Sequence, residues 1–371
     1  MNRFVEFWCG ARLLGVAFYS VSVCSIAVGL LFADCFGATQ GPAIGAIGGG
    51  VGTAVAGGLL FWVGRRGFVL EPRQHLWPVS SANCVSHVLT FLLLGWDGLG
   101  PFAGAVAMAL LTMGNALTMA LAMTAVLAAN VPFAKVRCFG TIGFAVAFVT
   151  VSWVSLWWAV GSGLVGLAVL AWFTIPTPAP FRSMSECNAA PLRGWSMFVV
   201  AILAYSLLAA VARTYEVFGP LRLVGSQSGV HAVLVLAILE IVFLLYVKFL
   251  AISWVAVAAF AWIAAYSCFA FLGETGEMLA MAFVSLNCLA QSSLSEFARG
   301  QFRSPGNVQL AYQLSASAVG VAIAIALSTL PTLASVWWFG LCLSVVILPG
   351  LLLCAVVLVK RSNFMGGTDD E

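Results

Sequence analysis

Charged side chains are scarce in this sequence. Asp, Glu, Lys and Arg make up 8% of its 371 residues, against roughly a quarter in ordinary soluble proteins. The hydrophobic fraction is 62%, and about 20 apolar residues suffice for a helix to cross a membrane. We therefore predict an all-α integral membrane protein with no room for a sizeable soluble domain. A net charge of +3 also makes no basic stripe for nucleic acid.

Residues suited to catalysis or metal binding are equally few. The three histidines, His75, His87 and His231, stand far apart at spacings unsuited to a shared metal. The ten cysteines form no Cys-x-x-Cys pair, and the sequence has neither a Gly-x-Ser-x-Gly elbow nor a phosphate-binding loop. We expect a protein that is not an enzyme and needs no cofactor. The absence of Asn-x-Ser/Thr fits a protein of a bacterial inner membrane.

Long apolar runs, broken by charge, Pro and Gly, are abundant instead. They predict twelve transmembrane helices, at 12–33, 43–63, 77–96, 102–129, 138–158, 159–175, 196–219, 230–250, 252–272, 276–298, 308–330 and 336–359. The second span is rich in glycine, which lets helix backbones approach closely in lipid. That span is predicted either to pack tightly or to slide against a partner helix.

The basic residues predict the orientation of the chain. If the N-terminus is cytoplasmic, 14 of the 16 Lys and Arg residues lie on the cytoplasmic side, and only Arg213 and Arg222 lie elsewhere. Cytoplasmic loops are the ones enriched in Lys and Arg. An even number of spans with both termini in the cytoplasm is therefore predicted.

One long polar connection divides the chain. Residues 177–194 contain three prolines and follow the sixth span. They would separate two six-helix halves, 1–176 and 195–371, and such a pair is typical of the repeats of membrane transporters. We expect the protein to act as a monomer in the lipid bilayer.

The few charges inside the spans are candidate functional groups, because ionising a side chain at the bilayer centre is costly. Glu240 lies near the middle of the eighth span. It either binds a proton or substrate, or stays protonated and hydrogen-bonded to a neighbouring helix. Arg213 and Glu216, three residues apart, either form a structural ion pair or line a cavity where the seventh span breaks near Pro220.

A polar stripe marks the tenth span. Asn287, Gln291 and Ser295 recur every four residues, so they share one helix face. Such a face either joins neighbouring helices or binds a ligand. Weaker candidates, each expected to serve packing, are His87, Asn115, Thr118, Tyr312 and Gln313.

The segment Arg137-Cys138-Phe139-Gly140-Thr141-Ile142-Gly143-Phe144 resembles a family motif. The motif is the Arg-x-Trp-Gly-Ser/Thr-x-Gly-Phe signature of the major facilitator superfamily branch that includes nucleoside:proton symporters and phenylpropionate permeases. Here Phe139 replaces the tryptophan. The segments 239–243 and 309–312 are similar to the same branch, so the resemblance extends over the chain. It implies the major facilitator fold.

The resemblance also implies roles for single residues. Positions that match Arg137, Thr141 and Phe144 line the substrate cavity, and the three share one helix face in this sequence. Glu240 matches a cavity glutamate implicated in substrate binding or proton coupling. Hydropathy alone offers another interpretation of Arg137, as an anchor at the cytoplasmic membrane edge.

The sequence departs from the family at several positions. Arg213 and Glu216 occupy positions where the nucleoside symporters have uncharged amides, which predicts a more charged cavity. Leu289 falls near the family's aspartate in helix ten. Phe61 and Trp62 replace the Asp and Arg of the loop between helices two and three, so the charge-relay gate assigned to that loop is not expected to operate as it does in the family.

The combined hypothesis is a proton-coupled symporter that imports a small metabolite by alternating access. A nucleoside-like compound is favoured over an aromatic acid or a sugar. Glu240 and Glu216 would carry the proton, and the substrate would contact both of them and Arg137, Thr141, Phe144, Arg213, Asn287 and Gln291. The alternatives are an efflux carrier of the same fold and a non-transporting membrane sensor or scaffold.

Overall fold

The computed structural model describes residues 3–37, 40–65, 72–95, 100–128, 131–170, 195–223, 227–246, 253–301, 305–328, 330 and 332–365. Regular structure within these ranges is helical throughout. The α-helices are α1 Arg3–Phe36, α2 Gln40–Arg65, α3 Pro72–Leu94, α4 Pro101–Ala128, α5 Phe133–Trp153, α6 Leu156–Leu170, α7 Trp195–Leu223, α8 Gln227–Tyr246, α9 Trp254–Ser267, α10 Glu277–Val284, α11 Asn287–Gln301, α12 Pro305–Ser328 and α13 Leu333–Met365. A π-helical turn, Cys268–Leu272, and a 3₁₀ turn, Gly273–Gly276, connect α9 to α10.

The lengths and composition of these helices make the chain an integral, multi-pass membrane protein. Within the described ranges, nine helical segments are long and apolar enough to cross a membrane. Three shorter apolar helical stretches are Leu156–Leu170, Val199–Ala212 and Ala318–Leu327. Each predicted span overlaps a described helix, whereas the full count of twelve crossings, the two halves and the orientation stay predictions.

Two helix boundaries differ from those predicted by hydropathy. The predicted span 138–158 contains a break, because α5 ends at Trp153 and Val154 is extended, with φ −106° and ψ 152°. The predicted span 276–298 is interrupted at residues 285 and 286, between α10 and α11. Both breaks lie in apolar sequence, which explains why a hydropathy profile passes over them.

Pairwise packing of helices determines where a central space remains. In the N-terminal part, α1 packs against α5 and α6, and α2 packs against α4. In the C-terminal part, α7 packs against α12 and α13, and α9 packs against α13. Two further pairs, α2 with α12 and α5 with α8, join these parts. The candidate site is lined by both helices of the second pair, α5 and α8.

Glycines on α2 permit its close approach to α4. A Cβ atom at Gly48 would overlap the carbonyl oxygen of Ala105, and one at Gly52 would overlap that of Ala109. Both obstacles are helix backbone, which cannot move aside as a flexible side chain can. The glycine-rich helix is therefore tightly packed at these two positions, as small residues allow in membrane proteins.

We predict that Gly52→Ala destabilises the protein, by about 1–3 kcal/mol if it behaves as other overpacked sites do. Its matched control is Gly58→Ala on the same helix, because a Cβ at Gly58 meets no atom within 4 Å. The measurement is the apparent unfolding temperature of the purified protein in detergent. Equal unfolding temperatures for the two variants would contradict the packing assigned to α2.

Candidate functional site

A polar cavity of about 250 Å³ lies between the helices of the two parts. We call it the polar cavity. Six of the residues singled out in the sequence line it, namely Arg137, Thr141, Phe144, Glu240, Asn287 and Gln291. These residues come from α5, α8 and α11, which are distant in sequence. The fold therefore brings the motif of α5 together with the carboxyl of α8 and the amides of α11.

Arg137 faces this cavity. Its Nη2 donates a hydrogen bond to Oε1 of Gln291 at 2.5 Å, and the arginine side chain is half-buried. Lys135, two residues earlier, is the exposed cation at this end of α5. Arg137 therefore lines the polar cavity, and its anchoring at the membrane edge stays an alternative prediction.

Glu240 of α8 is hydrogen-bonded to a residue of α5, Thr141. The hydroxyl of Thr141 donates to Oε2 of Glu240 at 2.9 Å. Thr141 is buried and Glu240 is half-buried. Thr141 lies one helical turn beyond Arg137, so α5 makes two side-chain hydrogen bonds from one face, to α8 and to α11. Among the described side chains, Arg137 hydrogen-bonds Gln291 and not Glu240.

The break between α10 and α11 borders the polar cavity. Leu286 N–H donates to the carbonyl of Phe283 at 3.1 Å, a 3₁₀-type bond, and the Ser285 hydroxyl donates to the carbonyl of Ala282 at 2.6 Å. Asn287 follows at once, and its Oδ1 accepts a bond from Nε1 of Trp262 at 3.3 Å. Irregular backbone at membrane depth is tolerated where it is buried in protein or lines a cavity.

At another part of the polar cavity, α7 is held by a tyrosine from α9. The hydroxyl of Tyr266 donates to the carbonyl of Val211 at 2.6 Å and accepts from Tyr215 N–H at 3.1 Å. Val211 and Tyr215 are four residues apart, the spacing of a helical hydrogen bond. The Tyr266 hydroxyl thus inserts into the hydrogen-bond ladder of α7, an arrangement known to bend helices. Tyr215 lines the polar cavity at this point.

Other residues singled out in the sequence are not among those that line the polar cavity in the described part of the chain. The side chains of Arg213, Glu216 and Gln313 are outside the part of the chain that the structure describes, so their roles stay predictions. Ser295, the third residue of the stripe on α11, is buried, and its hydroxyl donates to the carbonyl of Gln291 at 2.9 Å. Tyr312 is fully buried.

A buried polar cluster in the N-terminal part contains the weaker candidates. Nδ2 of Asn83 donates to Oδ1 of Asn115 and to Oγ1 of Thr118, both at 3.1 Å. His87 lies one turn further along α3, with Nδ1 at 2.8 Å from the carbonyl oxygen of Asn83. This cluster joins α3 to α4 through side-chain hydrogen bonds, and Asn115 also lines a cavity.

Several cavity residues were not predicted from the sequence. Phe18, Ser22, Leu236, Trp262 and Val284 also line the polar cavity. Apolar residues of an apolar helix give no periodic signal that separates a cavity face from a lipid face. Two of these cavity residues offered a polar indication, namely the hydroxyl of Ser22 and the indole N–H of Trp262, which needs a partner when buried.

The described residues define the class of protein as an all-α integral membrane protein with a central polar cavity between helix groups. No family model matches the chain, and no curated protein matches it. Solved structures of transporters do match its fold. The nucleoside transporter NupG aligns at 17% identity with a TM-score of 0.64, over 95% of this chain and 99% of that one.

Solved structures of transporters with other substrates also align with this chain over nearly its whole length. The human organic anion transporter MFSD10 aligns at 13% identity with a TM-score of 0.69, over 96% of this chain and 100% of that one. The xylose transporter XylE from E. coli aligns at 11% identity with a TM-score of 0.67, over 97% and 99%. The chain therefore shares its fold with these solved transporters.

We predict that Thr141→Val lowers the stability of the protein, because it removes the described donor to Glu240 while keeping the side-chain shape. A typical hydrogen bond within a protein contributes about 0.5–1.5 kcal/mol to stability. Thr141→Ser, which keeps the hydroxyl, is the matched control. The apparent unfolding temperature in detergent reports the difference, and a valine variant as stable as the serine variant would show that this bond contributes nothing.

Proposed function

We propose that this protein is a secondary active transporter, a proton-coupled symporter that imports a small nucleoside-like metabolite. The observation that carries the proposal is the polar cavity, in which Glu240 of α8 accepts a hydrogen bond from Thr141 of α5. A carboxyl in a cavity at the junction of two helix groups can exchange a proton and contact substrate there. The major facilitator fold supports this use.

Protonation of Glu240 changes what the cavity offers to a ligand. The ionised carboxylate only accepts hydrogen bonds, whereas the protonated acid also donates one. The proton would bind from the side with higher proton concentration and leave on the other side after the cavity has changed its opening. Glu216, whose side chain lies outside the described residues, is proposed as a second proton-binding group.

Alternating access requires two bodies that move relative to each other around the site. We propose that these are residues 1–176 and 195–371, each with six crossings and with both termini in the cytoplasm of a bacterium. The joining pairs, α2 with α12 and α5 with α8, are where such a motion would occur. Both polar contacts from α5 cross between the proposed halves.

The polar cavity supports a hydroxyl-bearing substrate. Its described walls offer amides from Asn287 and Gln291, a guanidinium from Arg137 and the indole of Trp262. Amides, carboxylates and guanidinium groups together can bind several hydroxyl and carbonyl groups of one small molecule. NupG, a nucleoside transporter of this fold, supports a nucleoside-like choice. Arg213 is proposed as a further substrate contact.

We predict that Glu240→Gln uncouples transport from the proton gradient. The measurement is accumulation of radiolabelled uridine in proteoliposomes with an imposed pH gradient. The native protein should concentrate uridine, and the variant should at most equilibrate it, because glutamine cannot carry a proton. Glu277→Gln is the matched control, since Glu277 is a buried carboxyl of α10 that does not line the polar cavity.

Gradient-driven accumulation by Glu240→Gln would overturn the coupling role. Accumulation only when the gradient is reversed would favour the efflux alternative. Absence of flux for a panel of nucleosides, sugars and aromatic acids would favour a sensor or scaffold.

We also predict that reporter proteins fused to the N-terminus and to the C-terminus both show a cytoplasmic location. Green fluorescent protein, which folds in the cytoplasm, should fluoresce at either end, and periplasmic alkaline phosphatase should stay inactive at both. Ends on opposite sides of the membrane would contradict an even number of crossings.

A further inference from the structure

A second cavity adjoins the polar cavity. It has a volume of about 410 Å³ and lies among α1, α2, α4 and α7, with contributions from α11 and α12. Gln291 and Ala212 line both cavities. The smaller polar cavity alone is below the roughly 300–1,000 Å³ of typical ligand pockets. A ligand that extends past Gln291 would use both spaces.

The side chains around this second cavity carry no charge. Among the residues of the described chain, its polar groups are hydroxyls and amides, from Ser25, Thr53, Thr112, Asn115, Tyr205 and Gln291. We call it the neutral cavity. The polar cavity beside it holds Arg137 and Glu240. Because a buried charge without a partner is costly, the neutral cavity suits an uncharged part of a ligand.

An aromatic platform forms one wall of the neutral cavity. Tyr205 of α7 stacks on Tyr312 of α12, with ring centroids 4.6 Å apart and an interplanar angle of 10°. Tyr312 is fully buried, so it covers one face of Tyr205 and restrains its ring. Tyr205 itself is half-buried and lines the neutral cavity. A restrained ring is a surface on which a flat ligand ring can stack.

An amide on another wall is also held in a fixed orientation. Oδ1 of Asn115 accepts from Asn83 at 3.1 Å, and its Nδ2 donates to the Ser25 hydroxyl at 3.4 Å. Nδ2 has two hydrogens, and Ser25 takes one of them. Asn115 is 6% exposed and lines the cavity. An oriented amide N–H of this kind recognises a carbonyl or ring nitrogen of a neutral ligand.

We propose that the neutral cavity is a second binding subsite, which takes the uncharged flat ring of a ligand whose hydroxyl-bearing part occupies the polar cavity. This inference rests on the proposed function, since it concerns the same substrate. Tyr205 stacks on the ring, Asn115 binds its polar edge, and Gln291 lies where the two parts of the ligand meet. Heterocycles with carbonyl groups, such as pyrimidines, fit these contacts.

The test compares two glycines that both have room for a side chain, one inside the neutral cavity and one outside both cavities. A Cβ at Gly29 meets no atom within 4 Å, and Gly29 lines the neutral cavity. A Cβ at Gly58 also meets no atom within 4 Å, but Gly58 is exposed on α2 and outside both cavities. Gly29→Leu therefore fills the neutral cavity, and Gly58→Leu is its control.

The probes are uridine, uracil and ribose, and the measurement is the dissociation constant for purified full-length protein by calorimetry. Gly29→Leu should weaken uridine and uracil binding at least tenfold and leave ribose binding unchanged. Gly58→Leu should bind all three as the native protein does. Uridine affinity unchanged in Gly29→Leu would overturn the subsite.

A second pair of variants keeps the test independent of how Gly29→Leu folds. Tyr205→Leu should weaken uracil binding roughly tenfold, as loss of base stacking on an aromatic ring does, and Tyr205→Phe should restore it. Equal affinities for the leucine and phenylalanine variants would contradict the platform.

Failure of the subsite and failure of the proposed transport are distinguishable. A native protein that concentrates uridine under a pH gradient, with uridine affinity unchanged in Gly29→Leu, would refute the neutral-ring subsite and leave the proposed transport standing. Loss of uridine binding in Gly29→Leu, together with gradient-driven uptake by Glu240→Gln, would support the subsite and refute the proton coupling.

Discussion

The absence of water from the bilayer core is the constraint on which this structure depends. Polar groups there must be satisfied by other parts of the protein, so polar side chains gather where helices from distant parts of the chain meet. The contacts Thr141–Glu240 and Arg137–Gln291 are the clearest examples. They join α5 to α8 and α11 and determine the walls of the polar cavity. The same contacts would have to break or rearrange if the two helix groups moved apart.

The two adjoining cavities offer different chemical groups to a ligand. The polar cavity has a carboxyl, a guanidinium and amides, and the neutral cavity has hydroxyls, amides and the stacked ring of Tyr205. The glycines of α1 and α2 serve different purposes beside them. Gly52 permits contact between backbones, whereas Gly29 leaves open space. The role of a small residue in a membrane helix can therefore be assigned only once the atoms around it are known.

Much of the fold follows from the sequence, because long apolar runs report membrane helices directly. The motif in α5 also predicted a cavity position for Arg137, where hydropathy allowed a membrane edge. Local breaks were not predictable: Val154 and Ser285 interrupt helices inside apolar sequence. Trp262 and Tyr205 were missed because their importance comes from partners on other helices, Asn287 and Tyr312. Arg213 and Glu216 remain candidates from sequence alone.

The most direct test of the account is a measurement of proton movement that accompanies substrate entry. Uridine is added to proteoliposomes that contain the native protein, with no imposed gradient and a pH indicator in weakly buffered medium. The account predicts that the medium becomes more alkaline as uridine enters, and that Glu240→Gln abolishes this change. Entry of uridine with no change in external pH would contradict the proposal that this cavity couples substrate to protons.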